Sequence, residues 1–348
     1  AIYISTIEQL QLIGNDIGYP LNGEYVQIQN IDASATLTWN GGKGFIPIGN
    51  DGTPFSGTYD GAGYSISSLH INNNTLSVIG IFANTSTATI SNVNLINVDI
   101  TLQVNSVNCG ALIGNCIDNS NISMCSVSGT LVGTSLGISV AGGLIGYALD
   151  STISTCSSSV SVTLTSVNTM SVAGLIGSAE NSVISDSYTT GTVSSIYDVG
   201  GLVGTCINSY LTNCYSTGDV NGTYNVGGLV GNLYPSLQFT ECYSTGNVSG
   251  EYAIGGLVGY AAANITKCYS TGNIVGSPAS TYVGGLVGLL DAAEINNSYA
   301  VGSISGSDSI GGLAGNSTNA VVTNCYSTGY VNGTSNLGGL IGTTQHRQ

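Results

Sequence analysis

The chain has 348 residues, of which 51 are glycine and only 6% are charged, and its 18 acidic against 3 basic residues give a formal net charge of −15. This charge excludes binding to nucleic acid and to an anionic membrane surface, because both need Lys and Arg to neutralise phosphate. An apolar fraction of 42% suffices for a continuous core, and no apolar run approaches the ~18 residues that would predict membrane insertion.

The first residues predict a short helix at the head of the fold. Ser5-Thr6-Ile7-Glu8 has the Ser-x-x-Glu pattern of a capping box, and apolar residues follow at helical spacing, so we expect a helix over residues 6–14. Such a helix would cover the open end of a stack of strands. We therefore interpret residues 1–89 as an N-terminal cap with the first irregular coils, and Trp39 as a packing residue within it.

From about residue 90 the chain repeats itself. A Gly-Gly-Leu-Val-Gly-type pentad returns nine times at steps of 27 to 32 residues. A second motif, Cys-Tyr-Ser-Thr-Gly or a variant of it, lies midway between pentads from the middle of the chain onward. Short alternating segments separated by turn residues at this period are typical of stacked strands. We predict an all-β fold, a parallel β-solenoid (β-helix) of about ten to twelve coils. Residues 90–348 would continue the cap as one elongated domain. The pentad leucines are Leu112, Leu144, Leu175, Leu202, Leu229, Leu257, Leu286, Leu313 and Leu340.

Cysteine recurs at one position of the repeat. Because Ser replaces Cys there in two coils, small buried thiols are favoured over disulfides, whose geometry suits parallel neighbours poorly. Metal binding is disfavoured, since no Cys-x-x-Cys pattern exists. Outside this position, we expect turns to expose Cys116 and Cys206. These two are predicted as candidates for an intermolecular cross-link, because an odd total of nine cysteines leaves one unpaired. The repeated position holds Cys125, Cys156, Ser187, Cys214, Cys242, Cys268, Ser298 and Cys325.

If these cysteines point inward, strand alternation sends the following tyrosine outward, and a threonine two positions later lines the same face. Three interpretations of this Tyr/Thr face remain open. Its rings stack only to stabilise the sheet, or they pack against another subunit, or they bind a ligand such as glycan rings or, as regular Thr arrays can, ice. The predicted residues are Tyr188, Tyr215, Tyr243, Tyr269, Tyr299 and Tyr326 with Thr190, Thr217, Thr245, Thr271 and Thr328, and Val301 breaks the threonine row.

The sequence offers little for catalysis. Its two histidines are His70 and His346, and no nucleophile elbow is present. A carboxylate pair for glycoside hydrolysis would have to be Asp51 and Asp60, but both follow ordinary turn chemistry. We expect no enzyme, no cofactor and no metal.

The pentads and the Cys-Tyr-Ser-Thr-Gly motif resemble the GLUG-motif repeats of bacterial and archaeal surface proteins. The opening Ile4-Ser5-Thr6-Ile7-Glu8-Gln9-Leu10 and the stretch Phe55-Ser56-Gly57-Thr58-Tyr59-Asp60-Gly61 match the usual N-terminal portion of that group. The resemblance covers essentially the whole chain and implies a β-solenoid. A chain made of little else is also similar to the archaeal cell-sheath proteins, amyloid-like subunits that assemble into a tube around the cell.

These observations predict an extracellular structural protein at the cell surface or in the envelope. It would self-assemble through solenoid edges and flat faces into a layer (an S-layer), sheath or fibre, with itself as partner in a homopolymer. The alternative is an adhesin that binds cell-surface glycans on the Tyr/Thr face, with ice binding as a third reading. A start at Ala1 rather than Met fits a mature secreted chain, although an arbitrary boundary would look the same.

Overall fold

The structure, a computed structural model, describes residues 1–72, 75–103, 107–133, 138–165 and 170–345. The described chain winds as a parallel β-solenoid, and each coil adds strands to three sheets, here called sheets 1, 2 and 3. Within these ranges, sheet 1 has 12 strands and sheet 3 has 10, which confirms the predicted all-β parallel solenoid. None of the helices in the described ranges has the length and apolarity to cross a bilayer.

The strands of each sheet pair in parallel with those of the coils before and after. Sheet 1 consists of Ile2–Ile4, Glu24–Gln27, Thr58–Asp60, Thr89–Ser91, Asn121–Ser123, Thr152–Ser154, Val183–Ser185, Tyr210–Thr212, Gln238–Thr240, Ile265–Thr266, Glu294–Asn296 and Val321–Thr323. Sheet 3 consists of Phe82–Ser86, Ile113–Ile117, Ile145–Leu149, Ile176–Glu180, Val203–Ile207, Val230–Leu233, Val258–Ala261, Val287–Asp291, Ala314–Thr318 and Ile341–Gln345.

Sheet 2 is the widest, because most coils contribute two or three short strands to it. Its strands are Ile31–Asp32, Ser65–Ser67, His70–Ile71, Val78–Ile79, Asn94–Leu102, Val107–Gly110, Ser126–Gly133, Ile138–Gly142, Ser157–Leu164, Ser171–Ala173, Tyr188–Thr189, Val193–Ser194, Tyr197–Gly200, Tyr215–Ser216, Val220–Asn221, Tyr224–Gly227, Tyr243–Ser244, Val248–Gly255, Tyr269–Ser270, Ile274–Gly284, Tyr299–Ala300, Ile304–Ser305, Asp308–Gly311, Tyr326–Ser327, Val331–Asn332 and Ser335–Gly338.

The N-terminal helix, α1, runs from Ile7 to Leu12 and buries Ile7 and Leu10. Its cap lies one residue later than predicted. Thr6, not Ser5, is the N-cap and accepts a hydrogen bond from the backbone N of Gln9 at 3.2 Å, while the Gln9 side chain accepts from the backbone N of Ser5 at 2.8 Å. Thr6 and Gln9 thus take the places of the predicted Ser5 and Glu8, with the return bond going to Ser5, the residue before the N-cap. A 3₁₀ segment, Ser34–Gly41, follows and carries Trp39, which packs partly buried against the core.

The core consists of columns of apolar side chains that repeat from coil to coil. The pentad leucines from Leu112 to Leu313 are fully buried, and Leu340 is partly buried in the last coil. Stacking one apolar residue per coil builds a continuous interior without any long hydrophobic run in the sequence. The inward column of sheet 1 is Tyr25, Tyr59, Ile90, Ile122, Ile153, Ile184, Leu211, Phe239, Ile265, Ile295 and Val322.

Two backbone requirements explain why Gly and Asn recur. A Cβ added at Gly227 would lie 1.9 Å from the carbonyl oxygen of Val230, so the pentad allows no side chain there. Corners use single residues with positive φ, such as Asn213 at 52° and Asn225 at 51°. Asn adopts this left-handed conformation more readily than most non-glycine residues.

Candidate functional site

Each Cys-Tyr-Ser-Thr-Gly motif begins just after a corner and alternates strictly between core and surface. In one coil, Asn213 turns the chain, Cys214 and Ser216 are fully buried, Tyr215 is half-buried and Thr217 is exposed. The corner fixes the phase of the strand, and the period of two then sends every second side chain outward. The structure therefore places the tyrosines and threonines of the Tyr/Thr face on the outside of sheet 2.

The six tyrosines of this face stack into one straight column. Successive ring centroids are 4.8 to 5.0 Å apart and successive ring planes are within 5° of parallel. This spacing equals the ~4.8 Å distance between neighbouring strands, so the rings follow the backbone ladder. Partial burial and the neighbouring phenols raise the pKa of Tyr215 and Tyr269 above the usual tyrosine value.

A row of small polar groups accompanies the rings. Thr190, Thr217, Thr245 and Thr328 are exposed, Thr271 is half-buried, and Val301 is 38% exposed where the threonine row is interrupted. The column of rings ends at Tyr188, whose register partner in the preceding coil is Ser157. The step from ring to serine leaves a depression of about 270 Å³ beside Tyr188.

A second tyrosine row was missed by the sequence reasoning. Tyr197, Tyr224 and Tyr252 share one register position elsewhere on sheet 2, and the rings of Tyr197 and Tyr224 stack at 4.9 Å. A signal was available, because in each case tyrosine stands three residues before the first glycine of a pentad. The solenoid thus carries two outward rows of aromatic rings.

The repeated cysteines form the buried ladder that the sequence predicted. All nine cysteines lie in the described part of the chain and are free thiols. Those of the ladder donate to the backbone carbonyl two residues earlier, as Cys214 does to Thr212 at 3.2 Å. Ser187 makes the same bond to Ser185 at 2.7 Å, which explains why Ser substitutes there. Cys325, in the last coil, is half-buried.

The expectation that Cys116 and Cys206 are exposed is wrong. They are 0% and 1% exposed, inside the sheet 3 strands Ile113–Ile117 and Val203–Ile207. The glycine two residues earlier belongs to the strand and not to a turn, so the alternation carries each thiol inward. Burial raises the pKa of both thiols to about 11, which suppresses the reactive thiolate. An intermolecular cross-link through either residue would need the strand to open.

The residues considered for catalysis have structural roles where the structure describes them. His70 is 8% exposed, and its Nδ1 lies 2.9 Å from Oδ2 of Asp99. The carboxylate of Asp60 accepts hydrogen bonds from the backbone N of Ala62 and from the side chain of Asn92. Asp51 lies exposed in a turn, and His346 lies outside the described residues. Within the described ranges, no three His, Cys, Asp or Glu side chains are grouped so as to hold a metal ion.

Comparisons with known proteins agree with this architecture. The family described as the GLUG motif matches residues 250–275, 279–305 and 306–332. Halomucin of Haloquadratum walsbyi is 36% identical over 148 residues, which is 41% of this chain and 2% of halomucin. This chain therefore corresponds to a very small part of that relative.

Two solved structures are similar in fold. A Bacteroides ovatus protein provisionally named an immunoglobulin A1 protease gives a TM-score of 0.50 at 15% identity, over 97% of this chain and 84% of its own. A chain named IgA1 protease gives a TM-score of 0.48 at 18% identity, over 95% of this chain and 21% of its own. Identities this low show a shared fold and nothing about function. The chain is thus a parallel β-solenoid that carries GLUG-motif repeats.

Proposed function

We propose that this chain is an extracellular structural protein that associates with copies of itself through the Tyr/Thr face, building a cell-surface layer, sheath or fibre. The observation that carries the proposal is the straight column of six rings from Tyr188 to Tyr326, with planes within 5° of parallel. Because the column is straight and flat over six coils, a flat face of a second copy can contact it along its whole length. The GLUG motifs and the similarity to halomucin support a surface or secreted location.

The composition of the face favours packing against protein. The column and its accompanying row consist of Tyr and Thr with one Val and contain no charged residue, so two copies can meet there without burying unpaired ions. Tyrosine is enriched in the cores of protein interfaces because its ring buries a large area while its hydroxyl finds a partner. The net charge of −15 opposes association. Added salt screens this repulsion, since the Debye length is about 10 Å at 0.1 M ionic strength. Association should therefore strengthen as salt is added.

A non-catalytic role fits the side chains that are present. His70 is bonded to Asp99, and Asp60 is engaged in a turn. These contacts support a role in which the solenoid acts through its surface.

The test replaces rings with the residue that the fold itself uses at that position. Ser157 occupies the register of Tyr188 in the preceding coil, so Tyr→Ser is compatible with the backbone. The triple variant Tyr215→Ser, Tyr243→Ser, Tyr269→Ser should stay folded and sediment as a monomer at concentrations where the parent chain associates. Tyr234→Ser is the matched control, because Tyr234 is 42% exposed and lies outside the face. Equal association of the triple variant and the parent would refute the proposal.

A second candidate is an adhesin that binds glycans on the same face. What favours it is the depression beside Tyr188, which combines an open ring with Thr190, Asn94 and the hydroxyls of Ser126 and Ser157. A parent chain that stays monomeric at every salt concentration, and that binds glycans unless Tyr188 is replaced, would support this function over assembly.

A further inference from the structure

A cleft of about 260 Å³ interrupts the surface where sheets 2 and 3 meet, away from the Tyr/Thr face. Three tyrosines surround it. Tyr252 and Tyr282 come from the sheet 2 strands Val248–Gly255 and Ile274–Gly284, and Tyr260 comes from the sheet 3 strand Val258–Ala261. Asp291 and Asn316 contribute polar groups to the lining, which also includes Leu289, Thr318 and Gln345.

Tyr282 occupies a backbone position that suits it poorly. Its φ is +61°, and the same register position in other coils holds Asn225, Ala253 and Ser309. Asn, Ala and Ser enter this left-handed conformation more easily than an aromatic residue, for which it is an outlier. Strain of this kind persists where the surrounding structure enforces it, and such residues cluster at ligand sites.

The second tyrosine row loses its regularity at this cleft. Tyr197 and Tyr224 stack with planes 8° apart, but Tyr224 and Tyr252 differ by 48°. Tyr252 and Tyr282 then meet edge to face, with centroids 5.3 Å apart and planes at 70°. The stack that runs along the solenoid thus becomes a corner of two rings, and both rings line the cleft.

Polar groups are fixed around the rings. The hydroxyl of Tyr260 donates to Oδ2 of Asp291 at 3.2 Å. Asn316 is 1% exposed, and it is held by bonds to Thr343 at 2.8 Å and from Thr318 at 2.9 Å. Burial and the nearby Tyr282 raise the pKa of Tyr252, so its hydroxyl remains a neutral donor. The cleft therefore combines aromatic faces with an anchored carboxylate and amide.

We propose that this cleft binds a ring of a neutral saccharide. A sugar ring has an apolar C–H face that packs on an aromatic side chain, and hydroxyls that pair with carboxylate and amide groups. Among the described lining residues Asp291 is the charged one, so an acidic saccharide would meet repulsion with no cation to offset it. The volume lies just below the range of about 300–1,000 Å³ found for drug-sized ligands, which suits one ring of a longer chain. The proposal is independent of self-association.

Calorimetric titration with cellohexaose, mannohexaose and an acidic hexagalacturonate tests it. The full chain is expected to bind a neutral probe and to leave the acidic one unbound. Tyr282→Asn should weaken that binding by about tenfold, the effect of losing an aromatic hot spot. The variant should remain folded, because Asn225 shows that Asn fits this corner. Tyr210→Gln, on sheet 1, is the control, because Tyr210 is 39% exposed and Gln238 holds the same register position in the next coil. It should change the affinity less than twofold. Tyr188→Ser reports separately on the alternative glycan site of the Tyr/Thr face.

Three results would overturn the inference. The first is the absence of heat with either neutral probe at millimolar concentration. The second is unchanged affinity in Tyr282→Asn. The third is loss of binding in Tyr188→Ser with Tyr282→Asn unaffected, which would move the saccharide to the Tyr/Thr face. Sedimentation of the same variants separates this result from the assembly proposal, since Tyr282→Asn should associate as the parent chain does.

Discussion

Replacing one pentad glycine with alanine tests the closeness of the coils directly. An added Cβ at Gly228 would lie 2.2 Å from the carbonyl oxygen of Gly256 in the next coil and 2.4 Å from Oγ of Ser244. The serine can rotate, but the carbonyl belongs to the backbone ladder. Relief therefore requires the two coils to separate by about 1 Å, since carbon and oxygen normally stay more than ~3 Å apart.

The cost follows from what that separation breaks. The backbone N of Gly228 bonds to the carbonyl of Gly255 at 3.2 Å, and the N of Leu229 bonds to that of Leu257 at 2.9 Å. Weakening the two hydrogen bonds costs about 0.5–1.5 kcal/mol each, and overpacking adds about 1–3 kcal/mol. Gly228→Ala should therefore destabilise its coil by about 2–6 kcal/mol. A solenoid opens locally, so the loss should concentrate in the neighbouring coils.

Gly339 provides a matched control. It occupies the same place in the last pentad, but nothing lies within 4 Å of a Cβ added there. Native-state hydrogen exchange with mass spectrometry reads the free energy of opening for peptides of each coil. Gly228→Ala should lower the opening free energy around residues 226–258, and Gly339→Ala should change its own coil by less than about 1 kcal/mol. Equal losses in the two variants would refute the argument from coil contact.

Three further predictions concern single side chains. Burial raises the pKa of Asp198, so its charge destabilises the fold at pH 7 and this penalty disappears as pH falls through the raised pKa. Relative to the parent, Asp198→Asn should therefore gain melting temperature as the pH rises from below the ordinary carboxyl pKa of 3.8 towards 7. A loss independent of pH accompanies this gain, because Asn cannot accept all the bonds that Asp198 accepts from Asn225, Asn232 and Thr205. A difference in melting temperature that does not vary with pH would contradict this. Iodoacetamide should label Cys325 first in the native chain, and peptide mapping that finds Cys116 or Cys206 labelled as fast would contradict their burial. Tyr282→Asn should stabilise the fold by about 1 kcal/mol by removing backbone strain, and a lower melting temperature would show that the ring packing outweighs it.

Most of the fold follows from the sequence because each coil repeats the same physical constraints. Each period contains one leucine that must be buried, two glycines that allow close backbone approach and an Asn-type corner. A parallel solenoid is the arrangement that satisfies these requirements in every coil. The outward position of Tyr215 follows in turn from the burial of Cys214. The predictions that failed concern single positions in the chain. The turn predicted at Cys116 does not form, because Gly114 lies inside the strand Ile113–Ile117, where an added Cβ would lie 2.9 Å from the carbonyl oxygen of Ala83.

The cleft around Tyr282 could not have been predicted from the repeat. It exists because the pairing of Val248–Gly255 with Ile274–Gly284 shifts register between Gly250 and Tyr252. This shift places Thr281 in the outward row and Tyr282 at the corner. A repeat pattern averages over its copies, so it describes the regular coils well and says nothing about the coil that departs from them.

Electron microscopy of the purified chain with and without reductant, as salt is raised, tests the central claim most directly. We predict ordered sheets, tubes or fibres that strengthen with salt and are absent for the Tyr215→Ser, Tyr243→Ser, Tyr269→Ser variant. They should be indifferent to reductant, because every thiol except that of Cys325 is buried. Dispersed particles of the parent chain under every condition would contradict assembly through the Tyr/Thr face.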